Sequence, residues 1–197
     1  MHSIANAHEP RAVQEVRDSS ERALARRCNL SWITDTIAVG GRFPESEVPR
    51  LATVLGIGCV VDLRQECCDD QVLLAAHGIE FLHLPTVDLE AVSQPMLDNG
   101  VEYVAARVRC NRRVLIHCEH GIGRSALLAL CVLVENGLAP IDALARAKDR
   151  RAVVSPSPAQ YEAWAEWLQR RFPEGPRGWS VPDFDAFKAI AYRHLAG

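Results

Sequence analysis

The stretch Val114-Leu-Ile-His-Cys-Glu-His-Gly-Ile-Gly-Arg-Ser125 reads as a strand, a tight loop with glycines at 121 and 123, and the start of a helix. Val114–His117 is a run of near-continuous hydrophobics, the pattern of a strand buried on both faces. After Gly123 the sequence Arg-Ser-Ala-Leu-Leu-Ala-Leu-Cys-Val-Leu-Val is apolar on all sides, which predicts a helix at the centre of a core. Asn136-Gly137 is its stop signal. A loop that winds before a helix start aims successive backbone N–H groups inward, and the helix terminus adds about half a positive charge. The order strand, loop, helix therefore predicts an anion cradle of the size and charge that suit a phosphate.

Working outward, helical stretches end at Asn-Gly, His-Gly or Leu-Gly stops and short apolar strands follow, a pattern that points to an α/β architecture. Further strands are expected at Ile37–Val39, Cys59–Leu63 and Phe81–Leu84, and helices at 48–55, 70–77 and 95–110. Pro140 opens a helix to about Arg150 and Ser157-Pro158 opens another, with Tyr161, Trp164 and Trp167 expected in core and helix surface. Residues 1–29 read as an N-terminal extension with weak helical spacing through Val13, Val16 and Leu24. Residues 30–172 form the main domain, and 173–197 a linker with a breaker cluster at 173–178 followed by a helix over Val181–Leu195 that packs on it.

The chain has 197 residues, 48% hydrophobic and 24% charged, which excludes disorder and leaves enough length to bury roughly 70% of the unfolded surface. Its net charge of −3 gives no basic field for a nucleic-acid backbone. The longest apolar run, Ala126–Val134, is far short of the roughly 20 residues that cross a bilayer, so no membrane span is expected. Met1-His2-Ser3-Ile4 lacks the pattern of a signal peptide. Seven cysteines without framework spacing read as a reduced, cytoplasmic thiol set.

Only Cys118 has a neighbourhood that suggests chemistry. At the start of an anion cradle its thiolate is favoured over the thiol, which makes it a nucleophile at neutral pH. Six residues on, the planar guanidinium of Arg124 can fold back and hold two oxygens of a phosphoryl group, a geometry that lysine cannot reproduce. Ser125 places a hydroxyl within reach of the sulfur, where it would ease departure of the thiolate.

The segment His117–Ser125 resembles the Cys-x5-Arg-Ser/Thr phosphate-binding loop of the cysteine-dependent protein phosphatases, most closely their dual-specificity branch. Val60-Val61-Asp62-Leu63-Arg64 is similar to that family's strand ending in Asp-Leu-Arg, Trp32–Arg42 to its opening strand, and Pro156–Gln160 to the segment after its catalytic helix. The resemblance covers roughly residues 30–170 and implies a mixed central sheet of about four to five strands flanked by helices. It also implies a two-step reaction without metal or other cofactor. Cys118 attacks phosphorus while Asp88, just after a strand and thirty residues upstream, protonates the leaving oxygen. The same carboxylate then activates water against the phosphocysteine. Backbone N–H groups of Glu119, His120, Gly121, Ile122, Gly123 and Arg124 would bind the phosphate throughout. Asp70 and Asp98 are the other candidates for the acid.

His117 is expected to support the loop, and Asp62 and Arg64 to brace it. Gln160 fits a capping box with Ser157. Cys59 is expected in the core, its alternative being a regulatory disulfide with Cys118. Two departures from the family pattern bear on substrate: His120 stands where many relatives have a small residue, and Glu119 replaces the basic residue of phosphoinositide-directed loops. The resulting expectation is a monomeric phosphatase for phosphorylated proteins or peptides. The alternatives are an inositol phosphate or phosphoinositide phosphatase acting on a phosphorylated small molecule, and a catalytically silent phosphate-binding module.

Overall fold

The computed structural model describes residues 11–173, 175 and 178–193, with side chains from residue 15 onward. The first ten residues, Glu174, Pro176, Arg177 and the expected last turn of the final helix, Leu195 included, lie outside the described residues. So does the side chain of Val13.

A five-stranded sheet has the order β1-β2-β5-β3-β4, with β1 Leu30–Trp32, β2 Ile37–Gly40, β3 Ile57–Arg64, β4 Glu80–Thr86 and β5 Arg113–His117. Strand β1 runs antiparallel to β2 and the other pairings are parallel, so the sheet is mixed as expected. β5 sits between β2 and β3 and is covered on both faces, which is why its sequence does not alternate. Its side chains still do: Val114 and Ile116 enter one core, Leu115 the other.

Helices α1 Arg11–Arg27, α2 Val48–Thr53 and α3 Gln71–Ala76 cover the face that receives Leu115. α4 Gln94–Arg109, α5 Arg124–Glu135, α6 Pro140–Arg150, α7 Pro158–Arg171 and α8 Phe184–Ala191 build the other layer. Every residue of α5 from Arg124 to Val134 is buried, as its uniformly apolar sequence demands. Asn99-Gly100 lies inside α4, as the helix expected over 95–110 requires. A Cβ on Gly100 would sit 2.8 Å from Leu128 Cδ1, so the glycine sets how closely α4 approaches α5.

Two expectations need correction. The edge strand β1 was not anticipated; it is only three residues long and closes on β2 through a turn in which Thr34 Oγ1 accepts the N–H groups of Thr36 and Ile37. In the N-terminal segment, Val16 is 67% exposed while Leu24 and Cys28 are buried, so α1 docks through its last turn. Trp164 and Trp167 are fully buried, and Tyr161 packs on Phe184 and Phe187 of α8. That helix lies behind the segment 154–156, with Tyr192 Oη donating to Pro156 O and Ser155 Oγ to Ala191 O. Among the described residues no helix is long and apolar enough to cross a membrane.

Candidate active site

Parallel strands deliver their C-terminal ends to one edge of the sheet, and the loops that leave those ends make the site. β5 contributes residues 118–123, β3 the segment 65–70, β4 the turn at 87–90, and β2 ends at Gly40 beside the loop. The register places His117 opposite Asp62 on β3 and Gly40 on β2.

Cys118 Sγ is buried, accepts the Gly121 N–H at 3.2 Å and lies 3.3 Å from Ser125 Oγ. Carbonyls along the loop are turned outward and held there. Glu119 O accepts from Arg42 N (2.8 Å), His120 O from Arg151 Nη2 (2.9 Å), Gly121 O from Arg151 Nε (2.7 Å) and Ile122 O from Ser155 N (2.9 Å). In a planar trans peptide the following N–H points the opposite way, so this tethering turns the N–H groups of residues 120–123 inward. Gly121 adopts φ +69°, and a Cβ there would strike Arg151 Nη2 and the Gly40 carbonyl, so only glycine lets the loop close on its supports.

The fully buried Arg124 guanidinium is held on one edge by Glu66, with Nη1 and Nη2 each 2.8 Å from a carboxylate oxygen. Nη1 also donates to Thr86 O at 2.8 Å, and Nη2 lies 3.0 Å from Asp88 Oδ1. Nε is buried and has no partner among the described residues, which leaves that donor for an oxygen of a ligand. The hydrogen bond from Arg124 holds the Glu66 carboxyl down at about 2. A depressed folded-state value stabilises the fold fully above the ordinary carboxylate range and loses that contribution as the pH falls through it. Glu66→Gln is therefore expected to unfold at a lower temperature than wild type above about pH 5, with the gap narrowing toward pH 3; a gap independent of pH would contradict the pairing.

Asp88 is half-exposed at the tip of a turn fixed by its neighbours. Leu89 has φ +64°, Ser157 Oγ donates to Leu89 O (2.7 Å), and Gln160 Nε2 donates to Glu90 O (3.1 Å). Gln160 also completes the expected capping box with Ser157, so one side chain both starts α7 and steadies the Asp88 turn. The other acid candidates are occupied elsewhere: Asp70 caps α3, and Asp98 accepts from Trp167 and Arg170.

Behind the loop lies an ionic cluster. Asp62 accepts Arg64 Nε and Nη2 at 2.9 Å each, Arg64 bonds Asp69, and Arg64 Nη1 reaches Glu119 Oε2 at 3.6 Å. Buried His117 packs on Phe43, and its Nε2 is 2.8 Å from Asp69 Oδ2. Burial pushes the Asp69 carboxyl up, but His117 and Arg64 outweigh it and bring it below the usual range. Asp62, Asp69 and His117 stand close enough to share a cation, and the Arg64 guanidinium occupies that role. His120 is exposed at the loop rim. Cys59 pairs with Val114, four residues short of Cys118, which separates the two by about 13 Å along the strand and rules out a bridge between them.

Glu66, Asp69 and Arg151 were not anticipated from the sequence. The one available signal was the crowding of Glu66, Asp69 and Asp70 after the strand end at Arg64.

The family model for the dual-specificity phosphatase catalytic domain matches residues 41–170. The phosphatidylglycerophosphate phosphatase PTPMT2 of Arabidopsis thaliana is 33% identical over 93 residues, which is 46% of this chain and 40% of that protein. Dual specificity protein phosphatase 8 of Mus musculus is 28% identical over 109 residues, 54% of this chain and 16% of that protein. The chain thus matches well under half the length of these curated relatives. Among solved structures, Tk-PTP in its active form superimposes with a TM-score of 0.67 at 28% identity, covering 72% of this chain and 97% of that one. PTPMT1 in complex with PI(5)P gives 0.68 at 22% identity over 72% and 96%.

Proposed function

Because the chain belongs to the dual-specificity phosphatase catalytic-domain family, we propose that it is a protein-tyrosine (dual-specificity) phosphatase that works through a phosphocysteine intermediate. The observation that carries this reading is Cys118 Sγ beside the inward Gly121 N–H and the Ser125 hydroxyl, with the Arg124 guanidinium held alongside by Glu66.

Cys118 attacks phosphorus in line with the leaving oxygen, the new S–P bond forming as the P–O bond breaks. Asp88 supplies the proton that turns the leaving oxygen into an alcohol or phenol. Water then attacks the phosphocysteine, Asp88 takes its proton, and the sulfur leaves as thiolate with the Ser125 hydroxyl donating to it. Arg124 and the N–H groups of residues 119–124 bear the charge of the phosphoryl group in both steps, at no reorganisation cost because their directions are set beforehand. The scheme gives no step to a metal or cofactor. His117, Asp62, Arg64 and Gln160 act through the loops they hold.

The rim supports an uncrowded phosphomonoester on an apolar or aromatic carrier. Val87, Leu89, Ile122 and Val153 are exposed large hydrophobics on the segments that frame the cradle. Glu66, Glu119 and Glu90 add carboxylates that oppose a polyanionic ligand. A phosphotyrosyl peptide fits both features. The second reading, a phosphorylated lipid or inositol, draws on the 33% identity to a phosphatidylglycerophosphate phosphatase. We place the protein as a monomer in the cytoplasm, where its seven free cysteines, three of them exposed, stay reduced.

Phosphate release from phosphotyrosyl and phosphoseryl peptides beside inositol phosphates and phosphoinositides tests the assignment, with Asp88→Asn run in parallel. The peptide is expected to be the better substrate, and Asp88→Asn to slow it about 100-fold, most for poor leaving groups. Faster turnover of the inositol compounds would replace the substrate class; unchanged rates in Asp88→Asn would move the acid elsewhere.

A further inference from the structure

Arg151 follows the end of α6, outside the Cys-x5-Arg segment, and is 6% exposed. A guanidinium has five N–H donors, and here each finds an acceptor. Nε donates to Gly121 O, Nη2 to His120 O and Asn29 Oδ1, and Nη1 to Asn29 O and Ser31 Oγ, over 2.7–3.4 Å. None of these five acceptors is a carboxylate. The cation is buried among neutral dipoles, two of which are the successive peptide units of the loop.

We infer that Arg151 is a positioning residue of the reaction: by holding the His120 and Gly121 carbonyls it aims the following N–H groups, one at the Cys118 sulfur and the next into the cradle. The inference rests on Cys118 being the nucleophile. For the His120–Gly121 unit both ends of the peptide are on view, with the carbonyl on Arg151 at 2.9 Å and the N–H on Cys118 Sγ at 3.2 Å. If the carbonyl were free to turn, the N–H would turn with it, and sulfur and phosphoryl oxygens would lose a donor. Burial weakens the hold of Arg151 on its proton, while a charge on Cys118 strengthens it. The same side chain ties the loop to Asn29 and Ser31, so the start of β1 becomes part of the support of the site.

Arg151→Met keeps the bulk and removes the donors and the charge; Arg151→Lys keeps the charge with three donors instead of five. In Arg151→Met, kcat on an aryl phosphate is expected to fall about 100-fold, the scale of a lost oxyanion donor. Alkylation of Cys118 by iodoacetamide should slow about tenfold at pH 6 yet match wild type at pH 9, where thiolate forms without help. A role confined to stability would not produce that split. In Arg151→Lys, kcat is expected to fall at least about tenfold with alkylation at pH 6 closer to wild type. A folded Arg151→Met with wild-type kcat and wild-type alkylation at pH 6 overturns the inference. If that variant does not fold, a folded Arg151→Lys with wild-type kcat overturns it instead. Wild-type protein that hydrolyses aryl phosphate no faster than Cys118→Ser would refute the nucleophile itself, a distinct result.

Discussion

Cys118→Ser is expected to lower turnover of an aryl phosphate by about 10⁴-fold or more, the scale seen when the nucleophile of a covalent mechanism is removed, while inorganic phosphate or vanadate still binds. The two halves have separate causes. A serine hydroxyl in the place of the thiol keeps its proton at neutral pH, so the attacking anion is lost. The cradle is built from the backbone N–H groups together with Arg124, and the contacts that hold the loop carbonyls outward do not involve the sulfur, which meets only the Gly121 N–H among those groups. Calorimetric titration with the oxyanion and single-turnover phosphate release read the two halves on one sample. A serine variant that turns over within about tenfold of wild type would remove the phosphocysteine from the mechanism; one that loses oxyanion binding would show that the thiolate itself shapes the cradle.

The second large effect is expected at Arg124. Its guanidinium serves Glu66, Thr86 O and Asp88 at once and keeps Nε in reserve. A lysine ammonium is a single point, which can meet Glu66 or a phosphoryl oxygen but not both in this geometry. Arg124→Lys should therefore lose about 10³-fold in kcat, near the lower end of what a transition-state arginine supplies in phosphoryl transfer. Stability should change far less, because Glu66 and Asp88 are close to half exposed and water can solvate them once the guanidinium is gone. Steady-state kinetics beside thermal unfolding separates these outcomes. Loss of fold in step with loss of rate would mean that Arg124 is chiefly a strut; retention of more than about a tenth of the rate would mean that the loop N–H groups carry the phosphate without it.

How much of this was readable beforehand depended on whether the information was local. Strand β5, the loop and α5 are contiguous, and each has its own signal: a run buried on both faces, glycines where backbones must meet, and an all-round apolar helix. The place of Asp88 beside the loop was legible through the family resemblance, which puts an Asp after a strand end upstream of the cysteine, and in a parallel sheet such ends share an edge. Strand β1 escaped because three residues with a polar centre carry no periodicity, and its stability comes from β2. Glu66 lies 58 positions from Arg124, and Asn29 lies 122 from Arg151. Nothing in the neighbourhood of either residue announces its partner. Arg151 was hidden further by its type, since a second arginine at the end of a helix reads as a solvated terminus until its five acceptors are seen.

The complete burial of α5 also bears on how the chain comes to life on the ribosome. Synthesis delivers Cys118 and its loop before α5, and only afterwards α6, α7 and α8, which complete the walls around that helix. Arg151, Ser155 and Gln160, which hold the loop and the Asp88 turn, are also made later than Cys118. A nascent chain that has just exposed Cys118 therefore lacks the side chains that later tether the loop, and α5, made next, finds the sheet and α4 on one side but not yet the helices of the other. The loop gains its full set of supports only when the segments downstream of α5 have docked.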